Sequence, residues 1–211
     1  MKSNSKCIAV IGSTGKAGKY ILAELLRNDY SVRTLVRSSQ IPTYAAVRTI
    51  EGDVCDHSDV AKLISGCDAV ISALGHPGGD RMIFSEASKN IIRAMETHHV
   101  KRYILLGGIN IDFPEDQKGP DTRAATEWMQ AKYPKACFDR QEEVKLLRRS
   151  TLDWTMLRLP RIDMIEEVVP LKSGLNDCLG DRINVGALAA FVVSQLYSDK
   201  YVAKAPFIWN A

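Results

Sequence analysis

Hydrophobic residues along this chain fall into short apolar runs that alternate with longer amphipathic stretches. The first run, Cys7 to Ile11, has the length and composition of a strand that is buried on both faces. Behind it, four apolar residues recur at the spacing of one helix face: Ile21, Leu22, Leu25 and Leu26. The chain therefore begins with a predicted strand–turn–helix unit, and we expect the rest of the fold to build on it.

Strand and helix signals keep alternating after this unit. Further strands are predicted over 31–36, 47–52, 68–74, 103–106, 152–160 and 206–209. Helices are predicted from the N-cap candidates at 56–59 to residue 64, and over 85–98, 138–149 and 185–197. Because such alternation favours a parallel sheet covered by helices on both faces, we expect an α/β fold with a doubly wound parallel sheet. The 211 residues, 45% of them hydrophobic, suit one domain over 1–211 with a small C-terminal extension on the substrate side.

The segment 112–137 interrupts this alternation. It is polar and contains four residues that break regular structure, Pro114, Gly119, Pro120 and Pro134, around a short helical patch over 124–131. An insertion at the carboxyl edge of a sheet often acts as a lid over a ligand. The alternative is a surface excursion with no role at the site.

Three glycines occupy the turn between the first strand and the first helix. Gly12, Gly15 and Gly18 suit a tight turn, a bare backbone that a pyrophosphate can approach, and close packing of helix on strand. The free amides at the helix start would face the phosphates, and the hydroxyls of Ser13 and Thr14 would add donors. The spacing is G-x-x-G-x-x-G rather than G-x-G-x-x-G, so the prediction of a nucleotide-phosphate site rests on its position between strand and helix. The alternative is an ordinary glycine-rich turn.

Two short segments, one after the second predicted strand and one after the third, contain candidate contacts for the adenosine half of the nucleotide. Arg37 lies about 20 positions beyond the glycines, where a doubly wound fold meets the adenosine ribose, and Ser38 is a second donor. An arginine at this position favours a 2′-phosphate and hence NADP. The alternative is that Arg37 is only a solvated cation at the end of a strand. After the third strand, Asp53 can accept a hydrogen bond from the adenine amino group while Val54 packs on the ring. Alternatively, the Asp53 carboxylate accepts hydrogen bonds only from the amides of its own loop.

The sequence does not fix a catalytic residue. The fourth strand leads into a loop at the switch point of the sheet, the expected place for the pyrophosphate, the nicotinamide ribose and the substrate. Candidates in this loop are His76, Asp80 and Arg81, each of which can also be a plain surface residue. Gly108, at the end of the fifth strand, is a further candidate position.

Composition narrows the function classes. A formal net charge of +3 without a long basic run gives no reason to expect nucleic acid or an anionic membrane as a partner. The five cysteines form no CxxC pair, which suits a reducing cytoplasm, and neither a signal peptide nor a membrane span is visible. The four histidines show no metal-ligand spacing, so no metal is expected. We therefore expect a soluble cytoplasmic protein that is a monomer or a homodimer.

Several short motifs together resemble the atypical short-chain dehydrogenases/reductases. They are Gly12–Gly18, Val36–Arg37, Gly52–Val54, Ala69–Ile71, Ser85–Glu86 with Lys89–Ile91, Val100–Arg102 and Leu152–Arg158. The chain is most similar to the NmrA-like group that includes the biliverdin-IXβ and flavin reductases, and the similarity covers nearly its whole length. The resemblance implies a Rossmann fold that binds NADP, with NADPH preferred over NADH. By analogy, it also implies hydride transfer to a loosely held small-molecule acceptor.

The resemblance assigns cofactor contacts position by position. Gly12, Thr14, Gly15 and Ala17 would hold the pyrophosphate, within a cofactor-binding loop that also takes in Ser13, Lys16 and Gly18. The remaining contacts would be Arg37 and Ser38 with the 2′-phosphate, Asp53 and Val54 with the adenine, Ala73, Leu74 and Gly75 on the ribose side, and Pro160 near the nicotinamide.

Two departures from this family bear on the chemistry. The fifth strand ends in Gly107–Gly108, where such reductases usually carry a serine, and no tyrosine is followed four residues later by a lysine. A carbonyl or alcohol substrate would therefore lack the usual positioned acid or base. A flavin, quinone or linear tetrapyrrole can take its proton from water, which makes an NADPH-dependent reductase of such acceptors the first hypothesis. The alternatives are a non-catalytic NADP-sensing module and a sugar epimerase or dehydratase. The epimerase or dehydratase is the less favoured of the two, because the tyrosine and lysine that it would use are missing.

Overall fold

The structure is a computed structural model that describes residues 6–37, 47–75 and 82–211. The strands in these ranges are β1 (Cys7–Ile11), β2 (Ser31–Val36), β3 (Val47–Glu51), β4 (Ala69–Ser72), β5 (Arg102–Gly108), β6 (Asp153–Leu159), β7 (Arg161–Asp163), β8 (Leu171–Gly174), β9 (Arg182–Asn184) and β10 (Phe207–Asn210). The α-helices are α1 (Gly18–Arg27), α2 (His57–Ile64), α3 (Ile83–Thr97), α4 (Pro120–Lys132), α5 (Pro134–Arg149) and α6 (Val185–Ser194).

Eight of the described strands form one sheet, in the order β3-β2-β1-β4-β5-β6-β10-β8. Neighbouring strands run parallel from β3 to β10, and only β8 pairs antiparallel, with β10. The chain first winds outward from β1 to β3 and then crosses back to β4, so the order reverses between β1 and β4. The predicted doubly wound α/β fold of the Rossmann type is therefore confirmed.

Alternating side chains of β1 show how helices cover both faces of the sheet. Ile8 and Val10 join one buried cluster with the apolar faces of α1 and α6, whereas Ala9 and Ile11 join a second with α2, α3 and α5. Side chains of successive strand residues point to opposite faces, so an apolar run such as 7–11 requires a core on each side. Each isoleucine buried there contributes about 1.5–3 kcal/mol of transfer free energy.

The structure adds elements that the hydrophobic pattern did not predict. The short strands β7 and β9 pair with each other in a separate two-stranded sheet, and β8 extends the main sheet by one strand. Helix α5 begins at Pro134 rather than at 138, because the fixed φ of proline suits the first helical position. The predicted helix over 185–197 divides into α6 and a 3₁₀ turn at Gln195–Tyr197.

The segment 112–137 forms a loop, α4 and the first turn of α5. Its loop is anchored to β6 by Arg158, which is 1% exposed and donates to the Asp116 carboxylate at 2.6 Å. Lys118 adds a second ion pair within the loop, with Asp112 at 2.6 Å. A buried guanidinium is strongly unfavourable without such partners, so this loop is bound firmly to the sheet.

A helix that spans a bilayer needs about 20 consecutive, mainly apolar residues. None of the helices within 6–37, 47–75 and 82–211 combines the length and the apolar character needed to cross the hydrocarbon core.

Candidate functional site

A cleft of about 520 Å³ opens at the carboxyl ends of the central strands. It lies where β1 and β4 are neighbours while their helices α1 and α3 leave to opposite faces, the place at which open α/β sheets bind ligands. The described lining residues are Ile11, Gly12, Thr14, Gly15, Lys16, Ala17, Leu35, Val36, Arg37, Gly52, Asp53, Val54, Ala73, Leu74, Gly75, Ile83, Leu106, Gly107, Arg140, Leu159 and Ile162. No described residue of 112–137 is among them, and the lid role stays a prediction.

The glycine-rich turn and the start of α1 form one wall of the cleft. Gly12 has a φ of +75°, and a Cβ there would meet the carbonyl oxygen of Ala73 at 2.6 Å, so only glycine fits. Helix α1 has no side-chain cap and no acidic residue in its first turn. The amides of Lys16 and Ala17 donate to no partner in the described part of the chain. Uncapped amides at the positive end of a helix form an anion-binding site.

Two residues of the predicted cofactor-binding loop lie away from the cleft. Ser13 is buried, and its hydroxyl is hydrogen-bonded to the hydroxyl of Thr34. Of the two hydroxyls predicted to face the phosphates, only Thr14 therefore lines the cleft. Gly18 also does not line it, because its backbone packs directly on the Gly12 carbonyl and leaves no room for a Cβ. This contact is the close helix–strand packing predicted for the third glycine.

The end of β2 brings a positive charge to the cleft. Arg37 lines the cleft directly after β2 and its side chain is exposed, so it is open to a ligand. The second predicted donor, Ser38, lies outside the described residues. The 2′-phosphate role of Arg37 stays a prediction.

Asp53 lines the cleft and also supports its own loop. One carboxylate oxygen accepts a hydrogen bond from the Cys55 amide at 2.9 Å, which is the loop role weighed from the sequence. The neighbouring Val54 is buried and lines the cleft as well. The structural role of Asp53 is therefore established, and contact of either residue with adenine stays a prediction.

The ends of β4, β5 and β6 form the opposite wall. Ala73, Leu74 and Gly75 all line the cleft, and their contact with the ribose stays a prediction. Pro160 is buried and is not among the lining residues, whereas Leu159 before it and Ile162 after it are. Contact of Pro160 with the nicotinamide stays a prediction, and the side chains that line the cleft at this turn are those of Leu159 and Ile162.

The candidate catalytic residues are not brought together in the described part of the structure. His76, Asp80 and Arg81 lie outside the described residues. Gly108 does not line the cleft, although Gly107 does. A catalytic role for any of the four stays a prediction.

Arg140 is a lining residue that the sequence analysis missed. Its guanidinium donates to the Leu74 carbonyl at 3.2 Å and to the Glu143 carboxylate at 2.6 Å, and it stacks 3.4 Å from the centroid of the Phe84 ring. The adjacent Asp139 accepts the amides of Phe84 and Ser85 at 2.8 and 2.9 Å, and so caps α3 from α5. Helix α5 therefore fixes both the start of α3 and this part of the cleft. The sequence carries no local signal for this role, because the position of Arg140 depends on how α5 packs against α3.

Tyr103 lies behind the cleft rather than in it. It is fully buried on β5, and its hydroxyl is 3.5 Å from that of Ser88, which donates to Glu143 at 2.6 Å. Burial, reinforced by the charge of Glu143, raises the pKa of Tyr103 above its ordinary value. Tyr103 therefore does not present a proton donor to the cleft.

Comparison with known proteins identifies the class of nucleotide. A profile of NAD(P)H-binding proteins matches residues 12–199. The chain belongs to the NAD(P)H-binding family. The YwnB protein of Bacillus subtilis (strain 168) is 27% identical to this family member over 150 residues, which are 71% of this chain and 70% of YwnB.

Two further matches extend this assignment. Phenylcoumaran benzylic ether reductase 1 of Arabidopsis thaliana is 33% identical over 114 residues, which are 49% of this chain but only 35% of the reductase. The second match is a solved structure, a short-chain dehydrogenase/reductase of Veillonella parvula DSM 2008 in complex with NADP. It superposes on this chain with a TM-score of 0.79 at 16% sequence identity, and the superposition covers 97% of this chain and 94% of that chain. The structural match shows the fold. With the family assignment, these matches confirm the resemblance to atypical short-chain dehydrogenases/reductases of the NmrA-like group.

The cleft of this NAD(P)H-binding protein fits its family's cofactor. The bare Gly12 backbone and the uncapped amides of Lys16 and Ala17 suit the pyrophosphate, and the charge of Arg37 lies beside the same wall. When bound, the cofactor supplies a hydride. For metals, no group of three or more His, Cys, Asp or Glu side chains that would hold an ion occurs among the residues that the structure describes.

Proposed function

We propose that this chain is an NADPH-dependent reductase that transfers hydride to a flavin, a quinone or a tetrapyrrole-like acceptor. The observation that carries the proposal is the apolar wall beside the ends of β4, β5 and β6. Its side chains are those of Leu74, Ile83, Leu106, Leu159 and Ile162. Apolar and aromatic acceptors bury their ring surface against such side chains.

The described groups beside this wall offer no proton. Its charged side chain is Arg140, whose guanidinium is committed to Glu143, the Leu74 carbonyl and the Phe84 ring. Arginine stays protonated at any ordinary pH and is a poor general acid. A flavin or quinone accepts hydride into a conjugated system that takes its proton from water, so the protein has only to bind, orient and exclude other reactions.

Preference for NADPH over NADH rests on Arg37. A guanidinium at the end of β2 pairs with a 2′-phosphate, whereas an acidic side chain there would accept from a free 2′-hydroxyl. Lys16 is a second cation on the same cleft. The two positive charges favour the more anionic cofactor.

The test is oxidation of NADPH by the purified protein, followed by absorbance, with FMN, a quinone and biliverdin offered in turn. We expect saturable turnover with at least one of them, and slower turnover with NADH. Ile162→Asp, which places a charge at the partly exposed edge of the apolar wall, should raise the KM for the acceptor more than it raises the Kd for NADPH. Tight NADPH binding with no turnover of any of the three acceptors would contradict the proposal.

A second candidate, an NADP-sensing module that acts on a partner protein, is favoured by one observation. Four apolar side chains between β7 and β9 are 44–79% exposed: Met164, Ile165, Val168 and Leu179. Exposed apolar groups of this kind are typical of protein contacts. The sensor proposal predicts that NADPH binds without turnover and changes the affinity for a protein partner, and that Val168→Lys abolishes only the second effect.

A further inference from the structure

Two cysteines meet at the end of the main sheet that is opposite the cleft. Cys7 opens β1 and Cys67 comes shortly before β4, and their sulfur atoms are 3.3 Å apart although 60 residues separate them. The parallel ladder enforces this contact. The Asp68 amide donates to the Cys7 carbonyl at 2.8 Å, and the Cys7 amide donates to the Asp68 carboxylate at 2.7 Å.

The two thiols have different surroundings. Cys7 is half-buried, whereas Cys67 is 7% exposed and also lies 3.4 Å from the Leu63 carbonyl. The pKa of Cys7 is lowered to about 7, first by the hydrogen bond from Cys67 and then by Arg33 and Arg48, against the opposing effects of burial and Asp68. The pKa of Cys67 is raised, by its contact with Cys7 and by burial. Cys7 therefore has the character of an attacking thiolate, and Cys67 that of a protonated thiol held beside it.

We propose that Cys7 and Cys67 form a reversible redox site that reacts with hydroperoxides. The Cys7 thiolate attacks the peroxide O–O bond, which leaves Cys7 as a sulfenic acid and releases water or an alcohol. The Cys67 sulfur then attacks the Cys7 sulfur, a disulfide forms and water leaves. The two thiols lose two electrons and two protons in total, and the peroxide accepts both. A small thiol such as glutathione restores the pair by two successive thiol–disulfide exchanges.

The geometry allows the second step with little movement. The sulfur atoms have to approach from 3.3 Å to about 2.05 Å, the length of a disulfide, so the displacement needed is only roughly 1.25 Å. The site is also separate from the nucleotide cleft. Gly12 follows the other end of β1, five residues from Cys7 and therefore about 16 Å away at the rise of a strand. Oxidation therefore proceeds whether or not the chain turns over NADPH.

The test treats the reduced full-length protein with an equimolar amount of hydrogen peroxide, alkylates the remaining thiols and reads both the intact mass and the peptides. We expect two of the five thiols to become inaccessible to the alkylating agent, a mass loss of about 2 Da for the new disulfide, and a linked pair of peptides containing Cys7 and Cys67. Glutathione should restore all five. A disulfide between any other pair, or oxidation beyond sulfenic acid with no cross-link, would overturn the proposal.

Single variants separate the two roles. Cys67→Ser should leave Cys7 as a sulfenic acid that dimedone traps, and Cys7→Ser should remove rapid peroxide consumption altogether. Cys55→Ser is the matched control, because Cys55 is half-buried like Cys7 and its loss should change neither result. If the variants fold poorly, the linked peptides from the oxidised unmutated protein still decide the matter, and the pH dependence of iodoacetamide labelling tests the role of Cys7 separately. Cys7 should be half-maximally labelled near pH 7, and equal labelling of Cys7 and Cys55 at every pH would refute the assignment.

Discussion

Replacement of Arg37 by alanine tests the cofactor assignment most directly. The side chain is exposed and lines the cleft, so its loss removes one charge without disturbing the core. A hydrogen bond to a charged group contributes about 1.5–3 kcal/mol, and exposure to solvent favours the lower end of that range. A loss of about 1.5 kcal/mol corresponds to roughly tenfold weaker binding of NADPH.

The assay is fluorescence titration of each nucleotide, with the steady-state KM measured in parallel. Binding of NADH should change by less than about twofold, because NADH has no 2′-phosphate for the arginine to meet. The loss for NADPH should also shrink as salt is raised, since the pair is exposed and screened. Arg149→Ala, an exposed arginine of α5 that does not line the cleft, is the matched control and should change neither nucleotide. Equal weakening of NADPH and NADH, or no weakening of either, would refute the placement of the 2′-phosphate at Arg37.

Four further substitutions test the cleft and its supports. Gly12→Ala forces a side chain into φ +75° and onto the Ala73 carbonyl, so NADPH binding by calorimetry should fall more than about tenfold and the melting temperature should drop. Arg158→Met removes the nearest charge partner of the buried Asp116 carboxylate and leaves it only Lys118 at 4.0 Å and the Phe113 amide at 3.0 Å, so urea denaturation should show about 3 kcal/mol less stability, and unchanged stability would contradict the buried ion pair. Tyr103→Phe should leave turnover within about twofold, because the hydroxyl lies behind the cleft, and a large loss would instead indicate a proton-transfer role. Arg140→Met should raise the KM for NADPH several-fold, with Arg140→Lys restoring part of it, and identical kinetics for all three proteins would show that this wall does not contact the ligand.

The glycine-rich end of the cleft could be predicted because its signal is local. At Gly12, Gly15 and Gly18, a Cβ would come within 3.1 Å of backbone atoms, so a sequence that forms this turn needs glycine at these positions. The strand at 7–11 was likewise predicted with its observed bounds, because a run that is apolar on both faces suits few other structures.

The opposite wall could not be predicted in the same way. Arg140 reaches the cleft only because α5 packs beside α3, and Asp139 caps a helix that starts 56 residues earlier. Ser13 was expected to face the phosphates from its position in the loop, but which way a hydroxyl turns depends on Thr34 from the neighbouring strand. Strands β7, β8 and β9 are short and partly exposed, so their hydrophobic pattern is too weak to predict them.

The contacts of Arg158 have a consequence for the order in which the chain folds during synthesis. The guanidinium needs the carbonyls of Ile111 and Leu175, the carboxylate of Asp116 and the carbonyl of Ala205, which is 47 residues further along the chain. Segments leave the ribosome in sequence order, so the glycine-rich turn and the first half of the sheet can assemble while Arg158 still lacks its last acceptor. A chain that is stalled or cleaved before Ala205 would carry a charged, incompletely paired strand at the open edge of its sheet. Such a chain would be a substrate for cellular proteases even though its glycine-rich turn is already formed.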